Sequence, residues 1–405
     1  MVAVTPAPTA SVAGTAGGGA KGGFRADVQA LRAVAVLLVV LYHAHVPGLT
    51  GGYIGVDVFF VISGFLITGL LVREQERTGR ISILKFYGRR MRRIMPAAAL
   101  VLIATVVASY HWLGFIRGAY IAEDAEWSSV FLANFHFAAV GSDYLHAQSA
   151  ASTLRHFWSL AVEEQFYVVW PALFLVLGLI TKSVKNKIIP VALIVAGSYV
   201  LSILYTAQNA TDAYFSPFTR ACELGAGALL ALLASQTARL PQRVGVMLSL
   251  GGMAGILAIA FTFTDDTPFP GSMVALPVLA TCAVLAGGGV IGETRLNTVY
   301  DFKPVQLIGL WSYSLYLWHW PVLTIAEQRL GHVPSAWARV LLVVGATVLA
   351  AATYYLIENP IRNWSLLRRR AIVSVAMGLL LIVAVIAVSA YEVGSHPAIP
   401  AHSSF

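Results

Sequence analysis

Charged side chains are scarce in this chain: they make up 11% of its 405 residues, where soluble domains carry about 25%. That shortage, with 58% hydrophobic residues, excludes an ordinary soluble fold and points to a polytopic membrane protein. Cysteine is nearly absent. Cys222 and Cys282 both lie in apolar runs and form no pair at metal-ligand or redox spacing, so two free thiols and no metal site are expected. Residues 1–23 contain no basic residue before Lys21 and no apolar core. This excludes a signal or transit peptide and leaves a disordered cytoplasmic tail over 1–23. Cations interleaved with exposed aromatics are also lacking, which argues against a nucleic-acid partner despite the formal charge of +8. The Lys and Arg residues gather instead in short connections between apolar runs, the positive-inside pattern of a chain whose partner is the lipid bilayer.

Apolar runs of about 20 residues suffice to cross the hydrocarbon layer. They fall at 28–46, 55–72, 95–113, 157–180, 188–205, 217–234, 244–263, 272–291, 305–326, 336–357 and 371–391, giving eleven expected spans in an all-α bundle. The loop carrying Arg73, Arg77, Arg80, Lys85, Arg89, Arg90, Arg92 and Arg93 is expected in the cytoplasm, together with the N-terminus. Lys182, Lys185 and Lys187 mark a second cytoplasmic loop. Between them, 114–155 holds Glu123, Asp124, Glu126, Asp143 and His146 and reads as an extracytoplasmic or re-entrant segment rather than a span. The C-terminus is then outside.

Several polar groups stand where lipid would forbid them. Arg32 and His43 lie eleven residues apart in the first span. At about 100° per residue they return to nearly one face, separated by a rise of about 16 Å. Two ionisable groups on one face of a membrane helix mark a wet or protein-walled cavity. Asp57 follows in GGYIGVDVFFVISGFLIT, where Gly51, Gly52, Gly55 and Gly64 permit close helix packing. Asp57 itself is either a cavity group or a solvated cap. In HFWSLAVEEQFYVVWP, His156 and Glu163 share a helical face, and Glu163 with Glu164 can bind a hydroxyl, orient an imidazole or cap the helix. Arg220 and Glu223, three residues apart, are neighbours on a helix; simple mutual neutralisation is the plain alternative to a ligand role. WSYSLYLWHWP places Ser312, Tyr316 and His319 on one face. FYGRRMRRIMP and IENPIR, with Glu358 and Arg362, set charges at cytoplasmic edges, explained either by anchoring or by an anionic ligand.

Taken together, ALRAVAVLLVVLYHA, GVDVFFVISGFLIT, FYGRRMRRIMPA, HFWSLAVEEQFYVVWP, SYSLYLWHWP and IENPIR, in this order over residues 24–365, resemble the acyltransferase 3 family of membrane O-acyltransferases. The resemblance implies a bacterial inner-membrane enzyme that moves an acyl group, often acetyl from acetyl-CoA, to a hydroxyl of a cell-envelope glycan or glycolipid. Acyl-CoA is then a donor substrate, with no bound cofactor. His43 becomes the expected general base or acyl carrier, oriented by Glu163 or Glu164. Arg32, Arg89, Arg90, Arg92 and Arg93 become the donor-binding cations. Asp57, Ser63, His156, Trp158, Arg220, Glu223, Tyr316 and His319 are expected to line the cavity or meet the acceptor.

The eleventh span resembles a family branch in which an extra helix precedes an extracytoplasmic SGNH domain. No GDS segment of such a domain occurs here. The expected organisation is thus a membrane domain over 24–370, a tether helix over 371–393 and an extracytoplasmic tail over 394–405, with the tether dispensable for acyl transfer. Two other classes compete: a transporter or flippase of a lipid-linked sugar or acyl donor, and a structural anchor.

Overall fold

A computed structural model describes residues 25–142, 150–181, 183–292 and 294–396. The expected tail over 1–23, together with Asp143, His146, Lys182 and residues 397–405, lies outside the described residues. The regular structure of the described residues is all helix. The first third of the chain forms α1 (Ala26–His43), α2 (Gly55–Thr78), α3 (Ile83–Leu113), α4 (Phe115–Ser129) and α5 (Ala133–Ser142). The middle forms α6 (Phe157–Ile180), α7 (Ile188–Gln208), α8 (Ala210–Phe215), α9 (Pro217–Leu232), α10 (Ala234–Thr237) and α11 (Gln242–Thr262). Next come α12 (Ala275–Gly288), α13 (Arg295–Tyr300), α14 (Lys303–Leu330) and α15 (Ala336–Thr353), and the chain ends with α16 (Asn359–Asn363), α17 (Ser365–Arg369) and α18 (Ala371–Ser395).

Each of the eleven expected runs is a helix, but among the described residues only eight are long and apolar enough to cross a membrane by length and composition. The other three are α9, α12 and α14. At 16 and 14 residues, α9 and α12 reach about 24 and 21 Å, short of the hydrocarbon thickness. The 28 residues of α14 are long enough, but the polar and aromatic groups of WSYSLYLWHWP dilute its hydropathy. The segment 114–155 contains α4 and α5, of 15 and 10 residues, each too short to span alone.

Close packing of α2 on α9 organises the centre. A Cβ on Gly64 would lie 1.7 Å from the Leu224 carbonyl oxygen, and one on Gly227 would lie 1.9 Å from that of Val61. The two backbones therefore touch where each helix offers its glycine to the other, as the small-residue rule for membrane helices requires. α1 lies between α2 and α14, with Leu31, Ala35, Val36, Val39 and Val40 fully buried.

α18 packs along α3 and α4. Its buried side is the line Ser374, Gly378, Val385 and Ser389, while its remaining apolar side chains face outward. Arg92 reaches across to the Leu367 carbonyl at 2.9 Å and Ser374 Oγ at 3.2 Å, which ties this helix to α3. The last span thus has a fixed seat on the bundle.

Candidate functional site

Two cavities open along α1. The wide chamber, of about 1310 Å³, has His43, Arg155, His156, Trp158, Tyr316 and Trp320 in its walls. The narrow pocket, of about 80 Å³, is lined by Arg32, Ser63, Arg90, Arg93, Glu163, Tyr167 and Ser312, among others. Val56 and Tyr316 belong to the walls of both and form the septum between them. One helix therefore carries a cation to one cavity and an imidazole to the other, as the eleven-residue spacing predicts.

At the chamber wall, His43 Nδ1 lies 3.0 Å from His319 Nε2, and His319 Nδ1 lies 3.2 Å from the Leu315 carbonyl oxygen. A carbonyl only accepts, so His319 carries its proton on Nδ1 and presents a lone pair at Nε2. His43 must then donate from Nδ1, which leaves its own lone pair at Nε2. That nitrogen has no protein partner among the described residues. The Trp320 ring packs edge-on against His43 at 4.4 Å between centroids and restricts its rotation. The same logic applies to His156. Its Nε2 donates to the Leu317 carbonyl at 3.1 Å, and its buried Nδ1 is an unpartnered acceptor.

The expected orientation of His43 by Glu163 or Glu164 is not the one the structure makes. His156 precedes the first turn of α6, and Glu163 lies in the other cavity, so the shared face predicted for these two residues does not bring them together. Glu163 accepts from Ser63 Oγ at 2.5 Å and from the Tyr167 hydroxyl. Glu164 Oε1 is buried without a hydrogen-bond partner. The partner of His43 is a second histidine that lies far away in sequence.

The four arginines of RRMRR separate into two pairs. Arg90 and Arg93 line the narrow pocket, and the Arg90 guanidinium lies 4.1 Å above the Tyr167 ring. Arg89 pairs with Glu74 at 3.0 Å, and Arg92 is spent on α17 and α18. Of the four arginines expected to bind the donor, Arg89 and Arg92 therefore stand outside the narrow pocket, with protein partners of their own. Among the described residues Arg32 makes one hydrogen bond, to Gln29 Oε1 at 3.2 Å.

Asp57 is not a solvated cap. It is fully buried and meets Arg220 Nη2 at 2.9 Å, while Arg220 Nε lies 2.9 Å from Glu223 Oε1. The rings of Phe60, Trp158, Tyr214 and Phe269 surround the guanidinium at 5.3 to 5.6 Å. Trp158, Tyr214 and Phe269 also line the wide chamber, so this buried charge cluster braces the chamber wall from behind. Of the α14 face, Ser312 and Tyr316 reach the narrow pocket, and the Tyr316 hydroxyl lies 2.6 Å from Ser159 Oγ and donates to the His156 carbonyl at 3.0 Å.

A π-turn over Tyr354–Glu358 leads into IENPIR. Pro360 lacks the N–H that an α-helix needs there, and its ring would strike the carbonyl four residues back; widening the turn relieves both. Glu358 is thereby buried against Ser314 Oγ at 3.0 Å, rather than standing at an aqueous edge.

Sequence reasoning missed Arg155, which enters the chamber beside His156. Its only early signal was adjacency to that histidine at the head of a span. The turn that presents it is clamped: Arg117 donates to the carbonyls of Ala150 and Ala151 at 2.5 and 2.9 Å, and Trp320 Nε1 donates to that of Ser152 at 2.8 Å. Burial lowers the Arg117 pKa from its ordinary value, with Asp124 acting against the shift.

The chain is 34% identical over 354 residues to YrhL of Bacillus subtilis strain 168, covering 83% of this chain and 54% of that protein. It is 31% identical to the peptidoglycan O-acetyltransferase OatA of Listeria monocytogenes, with coverage of 83% and 56%. It is also 31% identical to the O-acetyltransferase OatA of Staphylococcus aureus strain NCTC 8325, with coverage of 83% and 57%. It thus spans about half the length of these curated relatives. No solved structure matches it. Residues 25–357, which include both cavities and their septum, match the acyltransferase domain profile, and the chain belongs to the acyltransferase 3 family.

Proposed function

We propose that this chain is the membrane part of an O-acyltransferase that moves an acetyl group from acyl-CoA to a hydroxyl of a cell-wall glycan. The observation that carries the reading is the His43–His319–Leu315 relay, which aims an unprotonated Nε2 into a chamber large enough for a sugar. The names of the relatives, peptidoglycan O-acetyltransferases, support the acceptor class. The Lys and Arg pattern supports an orientation with the basic end of α2, the 79–82 connection and the start of α3 on the cytoplasmic side of a bacterial inner membrane, so that the narrow pocket faces the cytoplasm and the wide chamber faces out.

In this reading Arg32, Arg90 and Arg93 hold donor phosphates, because three guanidinium groups converge on a pocket with one lining carboxylate, Glu163. The acyl end of the donor passes Val56 and Tyr316 toward His43. His43 Nε2 takes the proton of the acceptor hydroxyl as its oxygen attacks the thioester carbonyl. The tetrahedral adduct collapses with loss of the CoA thiolate, which recovers that proton from the His43 imidazolium. During the step, the Nδ1–H to His319 bond becomes charge-assisted and stabilises the cation. An ester and a thiol result, with no net proton change. In longer proteins of this family, an extracytoplasmic domain after α18 would take the acyl group onward.

A transporter of a lipid-linked sugar requires a continuous passage, whereas Val56 and Tyr316 stand between the cavities. Incubating the purified protein in lipid nanodiscs with radiolabelled acetyl-CoA and glycan fragments separates the classes. The enzyme transfers label covalently, and His43→Ala lowers transfer about 100-fold or more. Full turnover by a folded His43→Ala protein refutes the assignment.

A further inference from the structure

Of the arginines facing the wide chamber, Arg117 is held by Gln328 and two carbonyls, and Arg329 donates to the Trp112 carbonyl at 3.1 Å. Arg155 differs. It makes no side-chain hydrogen bond or ion pair among the described residues, and the neighbour of its guanidinium is the Phe215 ring, 5.7 Å from the centroid. Its backbone is fixed nonetheless: Arg155 N donates to the Ser152 carbonyl at 3.1 Å, and Ser152 Oγ donates to Asp124 Oδ2 at 2.5 Å. Next to it, His156 is 4% exposed, and its unpartnered Nδ1 is an acceptor in the same chamber wall. The carboxylates of the chamber do not neutralise Arg155. Asp265 accepts from the Tyr42 hydroxyl at 2.6 Å, Asp265 and Asp266 are exposed on the loop after α11, and Glu327 lies near the end of α14.

A planar guanidinium fork held on a clamped turn and left open toward a cavity matches the two-oxygen edge of a carboxylate or phosphate. A lone pair at His156 Nδ1 matches a hydroxyl on the same ligand. We propose that the wide chamber selects an anionic hydroxyl acceptor, a sugar bearing a carboxylate or phosphate, and that Arg155 grips the anionic group while a hydroxyl is presented to His43. This deepens the reading of the chain as an O-acyltransferase and rests on it for the fate of the hydroxyl. The grip itself is a binding property and is measured without turnover.

Trp112, Trp158 and Trp320 line the chamber, so tryptophan fluorescence reports occupancy. The intact protein in nanodiscs is titrated with methyl glucuronoside, methyl glucoside 6-phosphate and uncharged methyl glucoside. At least one anionic probe is expected to bind about tenfold or more tightly than the neutral one. Arg155→Gln brings all three within about twofold, and Arg155→Lys keeps part of the preference. A preference for one anionic probe alone identifies carboxylate or phosphate as the group gripped. Equal binding of all three probes, absence of binding, or a preference that persists in Arg155→Gln overturns the proposal. Label transfer from acetyl-CoA is measured in parallel. Its failure with the probe preference intact removes the enzymatic reading and leaves the anion site standing, and transfer without any preference does the reverse.

Discussion

Replacing His319 with phenylalanine removes the acceptor that fixes the His43 tautomer while nearly preserving ring volume. His319 is fully buried, and the bond lost is the 3.0 Å contact to His43 Nδ1. In the resting enzyme that bond joins two neutral groups and contributes about 0.5–1.5 kcal/mol. Once His43 holds the acceptor's proton the bond is charge-assisted, with a net contribution of about 1.5–3 kcal/mol. The surplus in the charged state, about 1–1.5 kcal/mol, lowers kcat about 5- to 13-fold, and population of the wrong tautomer adds to the loss. The KM for acetyl-CoA stays within about twofold, because His319 does not line the narrow pocket. His319→Gln, which retains an acceptor oxygen, recovers part of the loss. Steady-state label transfer by nanodisc preparations, with size exclusion to verify folding, makes the measurement. A folded His319→Phe protein with kcat within threefold of wild type, or with a raised KM and unchanged kcat, refutes the relay.

The donor assignment predicts a split within RRMRR: Arg93→Ala raises the KM for acetyl-CoA about tenfold or more, whereas Arg89→Ala leaves it within about twofold. Steady-state kinetics of the two variants checks this. Gly64→Ala forces α2 away from α9 and destabilises the bundle by at least the roughly 1–3 kcal/mol of ordinary overpacking; a thermal-shift assay in detergent should show a lower midpoint, and an unchanged midpoint contradicts the backbone contact. For orientation, in a background lacking Cys222 and Cys282, an impermeant thiol reagent applied to intact cells should label Asp266→Cys and spare Arg80→Cys. The opposite pattern inverts the proposed topology.

What could be read in advance follows the range of the forces involved. The eleven-residue step from Arg32 to His43 is local helix geometry, and the two residues do reach two cavities along one helix. Hydropathy located the eleven apolar helices of the bundle but not α4, α5, α8, α10, α13, α16 and α17. It overstated how many are independently membrane-length, because α9 and α12 are short helices packed among neighbours. The partner of His43 lies 276 residues away on α14, and no periodicity within either helix determines which imidazole meets which. The arginine run illustrates the boundary between the two cases. Arg89 with Arg92, and Arg90 with Arg93, are i,i+3 pairs turned about 100° from each other, so a division into two faces is latent in the spacing. Which face looks into the pocket depends on where α17 and α18 dock, and Arg92 finds its partners there. Asp57 resembled an exposed cap because its companion Arg220 is 163 residues distant.

The wall that Val56 and Tyr316 share bears on the electrical life of the membrane. A bundle hollowed from both ends would short-circuit the ion gradients its cell maintains. Here the wall shared by the two hollows carries one aliphatic and one aromatic side chain, the latter pinned by its hydroxyl to Ser159 and the His156 carbonyl. Hydrated ions cannot shed their water to slip past such a plug without a cost of several kcal/mol. A slender acyl chain carries no charge and faces no such penalty. In the proposed reading, the two residues that stand between the hollows therefore act as a filter by polarity: a small neutral group is handed across the bilayer while the bundle remains an insulator.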